Sequence, residues 1–85
     1  MASIGEIVST LQEASDDIEE AISAANAAES TTEALIAIQA AAQFPDKVAA
    51  LTAVKESIDE LRTYLQGGTD LVDKVINQAQ AAAGG

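Results

Sequence analysis

The chain has 85 residues, four Lys or Arg against fourteen Asp or Glu, a net charge of −10, and neither Cys nor His. That composition excludes disulfides, thiolate chemistry, ordinary zinc sites and imidazole acid–base catalysis, and it repels nucleic acid and anionic membrane surfaces. A single domain of this size buries only about 60–65% of its unfolded surface, and with Phe44 and Tyr64 as the only aromatics the core has to come from Ile, Leu, Val and Ala.

The charge is unevenly placed. Residues 1–43 hold eight acids and no base, and residues 44–85 hold six acids and all four bases, so the two parts carry −8 and −2. A basic partner, or the second part lying along the first, suits that division. The first residues place no Lys or Arg ahead of an apolar run, so no secretory signal is expected. The longest apolar-dominated stretch, residues 34–42, falls far short of the roughly 20 residues of a membrane span. Synthesis in the cytoplasm, with any export by a leaderless route, is the expectation.

In chain order, Ser3-Ile4-Gly5-Glu6 predicts a capping box, in which the Ser hydroxyl takes the N–H three residues on and Glu6 reaches back. From there Ile4, Val8, Leu11, Ser15, Ile18, Ile22 and Ala25 form a seam stepping 4-3-4-3-4-3, widened by Ile7, Ala14 and Ala21. Glu29 and Thr32 then fall where that seam wants apolar residues, and Leu35, Ile36, Ile38 and Ala42 begin a new stripe behind a second capping signal, Ser30-Thr31-Thr32-Glu33. Either the helix changes phase there or it breaks and restarts. Residues 34–42 are apolar nearly all round, which marks burial on more than one side and a surface for a partner.

Gln43-Phe44-Pro45-Asp46 holds the only Pro and the only Phe. Pro offers no N–H and disfavours helix at the preceding residue, so the first arm ends here and the next begins. The expected layout is an arm over 3–43, a turn at 44–46 and a second arm over 46–83. In that second arm Leu51, Val54, Ile58, Leu61, Leu65, Gly68, Val72, Val75, Ala79 and Ala82 keep one heptad register, with Lys55–Asp59 and Asp59–Arg62 pairs on a solvated outer face. Gly67-Gly68-Thr69-Asp70 predicts a kink or short break that leaves the seam in line, and 81–85 reads as a frayed helix end. The fold class is therefore all-α: an antiparallel hairpin of two long helices with coiled-coil-like packing, open to breaks near 30 and 67–69.

No catalytic, cofactor-binding or metal site is expected. Glu13, Asp17 and Glu20 share a helical stripe, but without calcium-loop spacing or a Glu-x-x-His pattern they read as a solvated face. Gly67-Gly68-Thr69-Asp70-Leu71 lacks the Ser of an acyl-carrier attachment site, and the C-terminal Gly84-Gly85 does not follow a β-grasp pattern. What remains is association. Leu35, Ile36, Ile38, Ala42, Phe44, Leu51, Val54, Ile58, Leu61, Tyr64 and Leu65 are the candidate interface residues, with Tyr64 either an anchor or a ring packed beside the seam with its hydroxyl outward.

A short N-terminus, two arms of about forty residues, and a ring at the turn together resemble the Trp-Xaa-Gly helical-hairpin proteins of type VII secretion and their shorter actinobacterial relatives that lack the motif. The likeness runs from Ser3-Ile4-Gly5-Glu6-Ile7 to residues 72–82. Phe44-Pro45-Asp46 stands where that family has Trp-Xaa-Gly, so Phe44 alone carries over, as a ring packed between the arms. Tyr64 is followed four residues later by Gly68, with Asp70 two beyond, where the family's exported member has Tyr-Xaa-Xaa-Xaa-Asp/Glu. Pro45-Asp46-Lys47 and residues 61–76 also resemble the needle subunits of type III secretion. The first resemblance implies a non-enzymatic, dimeric protein that binds itself or another protein; the alternative is a self-assembling subunit of a filament, needle or shell.

Overall fold

The computed structural model describes residues 3–84, with one helix on each side of a single turn: α1, Ile4–Ala41, and α2, Pro45–Gly84. The Ser3–Glu6 capping box forms in both directions, Ser3 Oγ accepting from the Glu6 N–H at 3.2 Å and Glu6 Oε2 accepting from the Ser3 N–H at 3.4 Å. At the other end of α1 the chain reverses through Ala42, Gln43 and Phe44. The Phe44 N–H donates to the Gln39 carbonyl at 3.0 Å and the Gln43 N–H to the Ala40 carbonyl at 3.1 Å. This Schellman closure needs one left-handed residue, and Gln43 supplies it with φ 62°. Pro45 then opens α2, at the helix position where a missing N–H is harmless.

Gln43 carries a side chain in a conformation that glycine adopts freely. Gln43→Gly is therefore expected to stabilise the hairpin by about 1 kcal/mol and Gln43→Val to destabilise it by at least as much. Urea unfolding midpoints of the two variants check this.

The arms run antiparallel along the whole rod, which measures 64 × 15 × 14 Å. Glu33 meets Lys55, Glu29 meets Arg62, and Ile18 lies 3.7 Å from the point where a Cβ on Gly68 would stand, so partners diverge from the turn in step. The all-α antiparallel hairpin expected from the sequence is the architecture observed.

Within the arms, three expectations are corrected. First, α1 neither breaks nor changes phase at residues 29–33. The inward positions Ile4, Val8, Leu11, Ser15, Ile18, Ile22, Ala25, Glu29, Thr32, Ile36 and Gln39 keep one 4-3 stepping to the turn, and the seam simply accepts polar residues. Thr32 is 7% exposed, and its hydroxyl donates to the Ala28 carbonyl at 2.7 Å, which removes the cost of burying it. Second, α2 passes through Gly67-Gly68 without a break, and no glycine in the described residues has a positive φ. Third, the inward face of α2 is Val48, Leu51, Lys55, Ile58, Arg62, Leu65, Thr69, Val72, Ile76 and Ala79. Half of the expected stripe, Leu51, Ile58, Leu65, Val72 and Ala79, is there. Of the other half, Gly68 is half-buried at the seam's edge beside Ile18, while Val54, Leu61, Val75 and Ala82 are exposed; Val48, Lys55, Arg62, Thr69 and Ile76 complete the inward face.

The core is correspondingly thin. Ala25 and Thr32 are the only buried residues among those described, and no large side chain is fully buried. Gln39 Oε1, buried near the turn, has no hydrogen-bond partner.

Candidate functional site

Two features of the rod stand out chemically: a polar layer inside the seam and an apolar face outside it. The layer is centred on Arg62. Its Nη1 donates to Glu29 Oε2 at 2.7 Å and to Asn26 Oδ1 at 3.0 Å, and its Nη2 donates to Asp59 Oδ1 at 2.7 Å. Two turns of α2 nearer the hairpin bend, Lys55 Nζ lies 3.1 Å from Glu33 Oε1. The expected Asp59–Arg62 pair is present; Lys55, expected to pair with Asp59 on an outer face, instead crosses to α1, and both bases sit on the seam. Two of the four bases are thus spent joining the arms at fixed heights, which gives the hairpin a unique alignment.

The crowding of carboxylates raises the Glu29 pKa. Hydrogen bonding with the Asp59 carboxyl is the main cause and lost hydration the next, while the Arg62 guanidinium pulls the other way. Lys55 is also raised, chiefly by its hydrogen bond to Glu33. Both shifts mean that the folded chain holds protons more tightly than the unfolded one. The Glu29 contribution is complete below the ordinary glutamate pKa of about 4.3 and fades as pH rises through its folded value. The Lys55 contribution is present below the ordinary lysine value of about 10.4 and is lost in more alkaline solution. Thermal unfolding followed by circular dichroism should therefore show Tm rising as pH is lowered from neutral towards about 5. Glu29→Gln should flatten that rise, because its amide donates to Asp59 at any pH.

The second feature lies on one flank of α2, bordering the seam at Gly68, where a Cβ would stand 3.7 Å from Ile18 Cδ1. Val54, Leu61, Tyr64, Leu71 and Val75 are all exposed, Tyr64 to 81%. With Ser57 and Gly68 they step 3-4-3-4-3-4, so α2 carries two heptad stripes, one used by the hairpin and one facing solvent. A shallow groove of about 280 Å³ is lined by Tyr64, Gly67, Gly68 and Leu71.

The candidate interface residues divide accordingly. Val54, Leu61 and Tyr64 belong to the outer stripe, while Leu51, Ile58 and Leu65 are half-buried against α1. On α1, Ile36 is half-buried in the seam, and Leu35, Ile38 and Ala42 are exposed. Phe44 is 50% exposed with Lys47 Nζ 4.9 Å from its ring centroid, so it caps the turn under a cation rather than packing between the arms. The stripe as a unit is not legible in the sequence, because Val54, Leu61, Gly68 and Val75 equally suit the intrachain seam and Leu71 has no place in that heptad.

Glu13, Asp17 and Glu20 are exposed, and no group of three or more Asp or Glu among the described residues is placed to hold a metal ion. No helix among them is long and apolar enough to cross a membrane. Compared with protein-family models, curated proteins and solved structures, the chain matches none.

Proposed function

We propose that this chain is a non-enzymatic helical interaction protein that works as a dimer, in the manner of the hairpin substrates of type VII secretion, and that the outer face of α2 is its association surface. The observation that carries the reading is the exposed apolar set Val54, Leu61, Tyr64, Leu71 and Val75 along one side of α2, on a hairpin whose own seam buries no large side chain fully. Two helices alone rarely cover enough apolar surface for a stable domain, and a heptad stripe left open is the pattern by which helices recruit further helices. Static light scattering tests it, together with hydroxyl-radical footprinting of Tyr64 in the pure protein and in extract of its own cells. Association at the α2 face protects Tyr64. A chain that stays monomeric, with Tyr64 equally open in both settings, overturns the reading.

A self-assembling filament, needle or shell subunit is the second reading. It is favoured by a further set of exposed apolar residues on the other arm and at the turn, Ile7, Leu35, Ile38 and Phe44. A molecule with two different sticky faces grows head to tail, whereas one self-complementary face closes at two. Scattering mass that rises without limit with concentration selects this reading; a plateau at twice the chain mass rejects it.

A further inference from the structure

We infer that the outer face of α2 is covered by a second copy of this chain, its α2 packed antiparallel to the first about a twofold axis level with Gln66. The inference rests on the association reading above and names the partner. Three independent observations fix it.

The first is the pairing that the stripe permits. In two antiparallel helices, a step along one is a step back along the other. Setting Leu61 against the partner's Leu71 also sets Tyr64 against the partner's Gly68, and the twofold axis repeats each contact. Tyr64 is the most exposed large apolar side chain among the described residues. It meets the one place on the stripe where side chains are missing, the shallow groove at Gly67 and Gly68. A Cβ on Gly67 would have nothing within 4 Å, so the hairpin itself has no need of glycine there. A helix interior disfavours glycine, and a neighbouring ring that must come close to the backbone gives it a purpose.

The second is charge at the edge of the stripe. Glu60 and Lys74 lie two heptads apart on the same edge, and neither forms an ion pair among the described residues. The antiparallel register brings Glu60 beside the partner's Lys74 and Lys74 beside the partner's Glu60. A parallel pairing would leave Glu60 and Lys74 two heptads apart in height and join neither to its opposite.

The third is the overall charge. Two copies at −10 each repel, and α1 carries eight acids with residues 1–43 holding no base. Residues 44–85, at −2, offer the arm on which two copies meet with least repulsion.

The test is a charge exchange read by sedimentation equilibrium at low salt. Wild type should dimerise, and Glu60→Lys and Lys74→Glu should each weaken the dimer about tenfold, since each variant creates two like-charge contacts. Mixing the two variants should restore wild-type affinity, because every contact in the mixed dimer then joins opposite charges; the double variant should also recover. Dilution gives a second readout: Tyr64 is the only Tyr and there is no Trp, so its fluorescence quenching by acrylamide should increase as the dimer dissociates. A dimer indifferent to both charge variants, or a mixture no tighter than its components, overturns the antiparallel pairing. A chain that remains monomeric when pure, yet has Tyr64 protected in extract, overturns the second-copy inference and leaves the association reading standing with a different partner.

Discussion

Replacing Gly67 and Gly68 together by Ala is expected to stabilise the hairpin by about 2 kcal/mol, which for a chain of this size raises Tm by roughly 10 °C. Both glycines lie inside a continuous helix with ordinary helical φ, so neither is held there by the backbone. A methyl at Gly67 meets no atom within 4 Å, and one at Gly68 meets Ile18 Cδ1 at 3.7 Å, an ordinary van der Waals contact that adds to the seam. Each substitution then gains the difference between glycine and alanine in a helix interior, about 1 kcal/mol. Unfolding has to be followed at dilutions where the chain is monomeric. At higher concentration the methyl at Gly67 narrows the groove that receives Tyr64, so the variant should be more stable as a hairpin and weaker as a dimer. Unchanged Tm in dilute solution would mean that the helix is interrupted at this point after all.

Removing Arg62 has the opposite sign. Arg62→Ala leaves Glu29, Asp59 and Asn26 facing one another without the group that joins them. A set of charged hydrogen bonds in a fully buried site would be worth more, but the Arg62 side chain is 31% exposed and water screens part of the loss, so about 1–2 kcal/mol of destabilisation is expected. Replacing both ends of the cross-arm pair, Glu29→Leu with Arg62→Leu, should instead raise Tm, since an apolar pair suits the seam without the dehydration of charge. That gain should come with a loss of definition. Leu at both positions makes adjacent heptad alignments of the arms nearly equal, and amide NMR spectra should show extra or broadened peaks. If the doubly substituted chain gives one sharp set of peaks, the Arg62 layer is not what fixes the alignment.

These two predictions mark what could be read from the sequence and what could not. Local signals were legible: the capping box at Ser3 and Glu6, the stop imposed by Pro45, and the heptad beginning at Ile4 all act within a turn or two of chain. The continuation of α1 through Glu29 and Thr32 was not, because counting apolar residues rejects a position whose polar group is satisfied by another arm or by its own backbone. Glu29 is admitted to the seam by Arg62, thirty-three residues away, and no local pattern contains that fact. The same holds for α2. Leu51, Ile58, Leu65, Val72 and Ala79 complete a heptad equally well with Val54, Leu61 and Val75 or with Lys55, Arg62 and Ile76. Hydrophobicity favours the first set, and the ion pairs to α1 choose the second. The more apolar stripe is thereby left outside, which is why the candidate site became visible only once the arms were paired. At Gly67-Gly68 intrinsic propensity pointed to a break, and packing along both stripes overrides it.

The slender outline of the hairpin also governs its apparent size in solution. Its radius of gyration is 19.1 Å, whereas a globular chain of 85 residues is expected near 12 Å, and a sphere-like protein reaches 19.1 Å only at about 300 residues. A single copy therefore has the radius of gyration of a body several times its mass. Two copies joined side by side through α2 thicken the rod far more than they lengthen it, so pairing doubles the mass with little change in the radius of gyration. Association of this protein would be almost silent to that radius and plain to any measurement that weighs the particle.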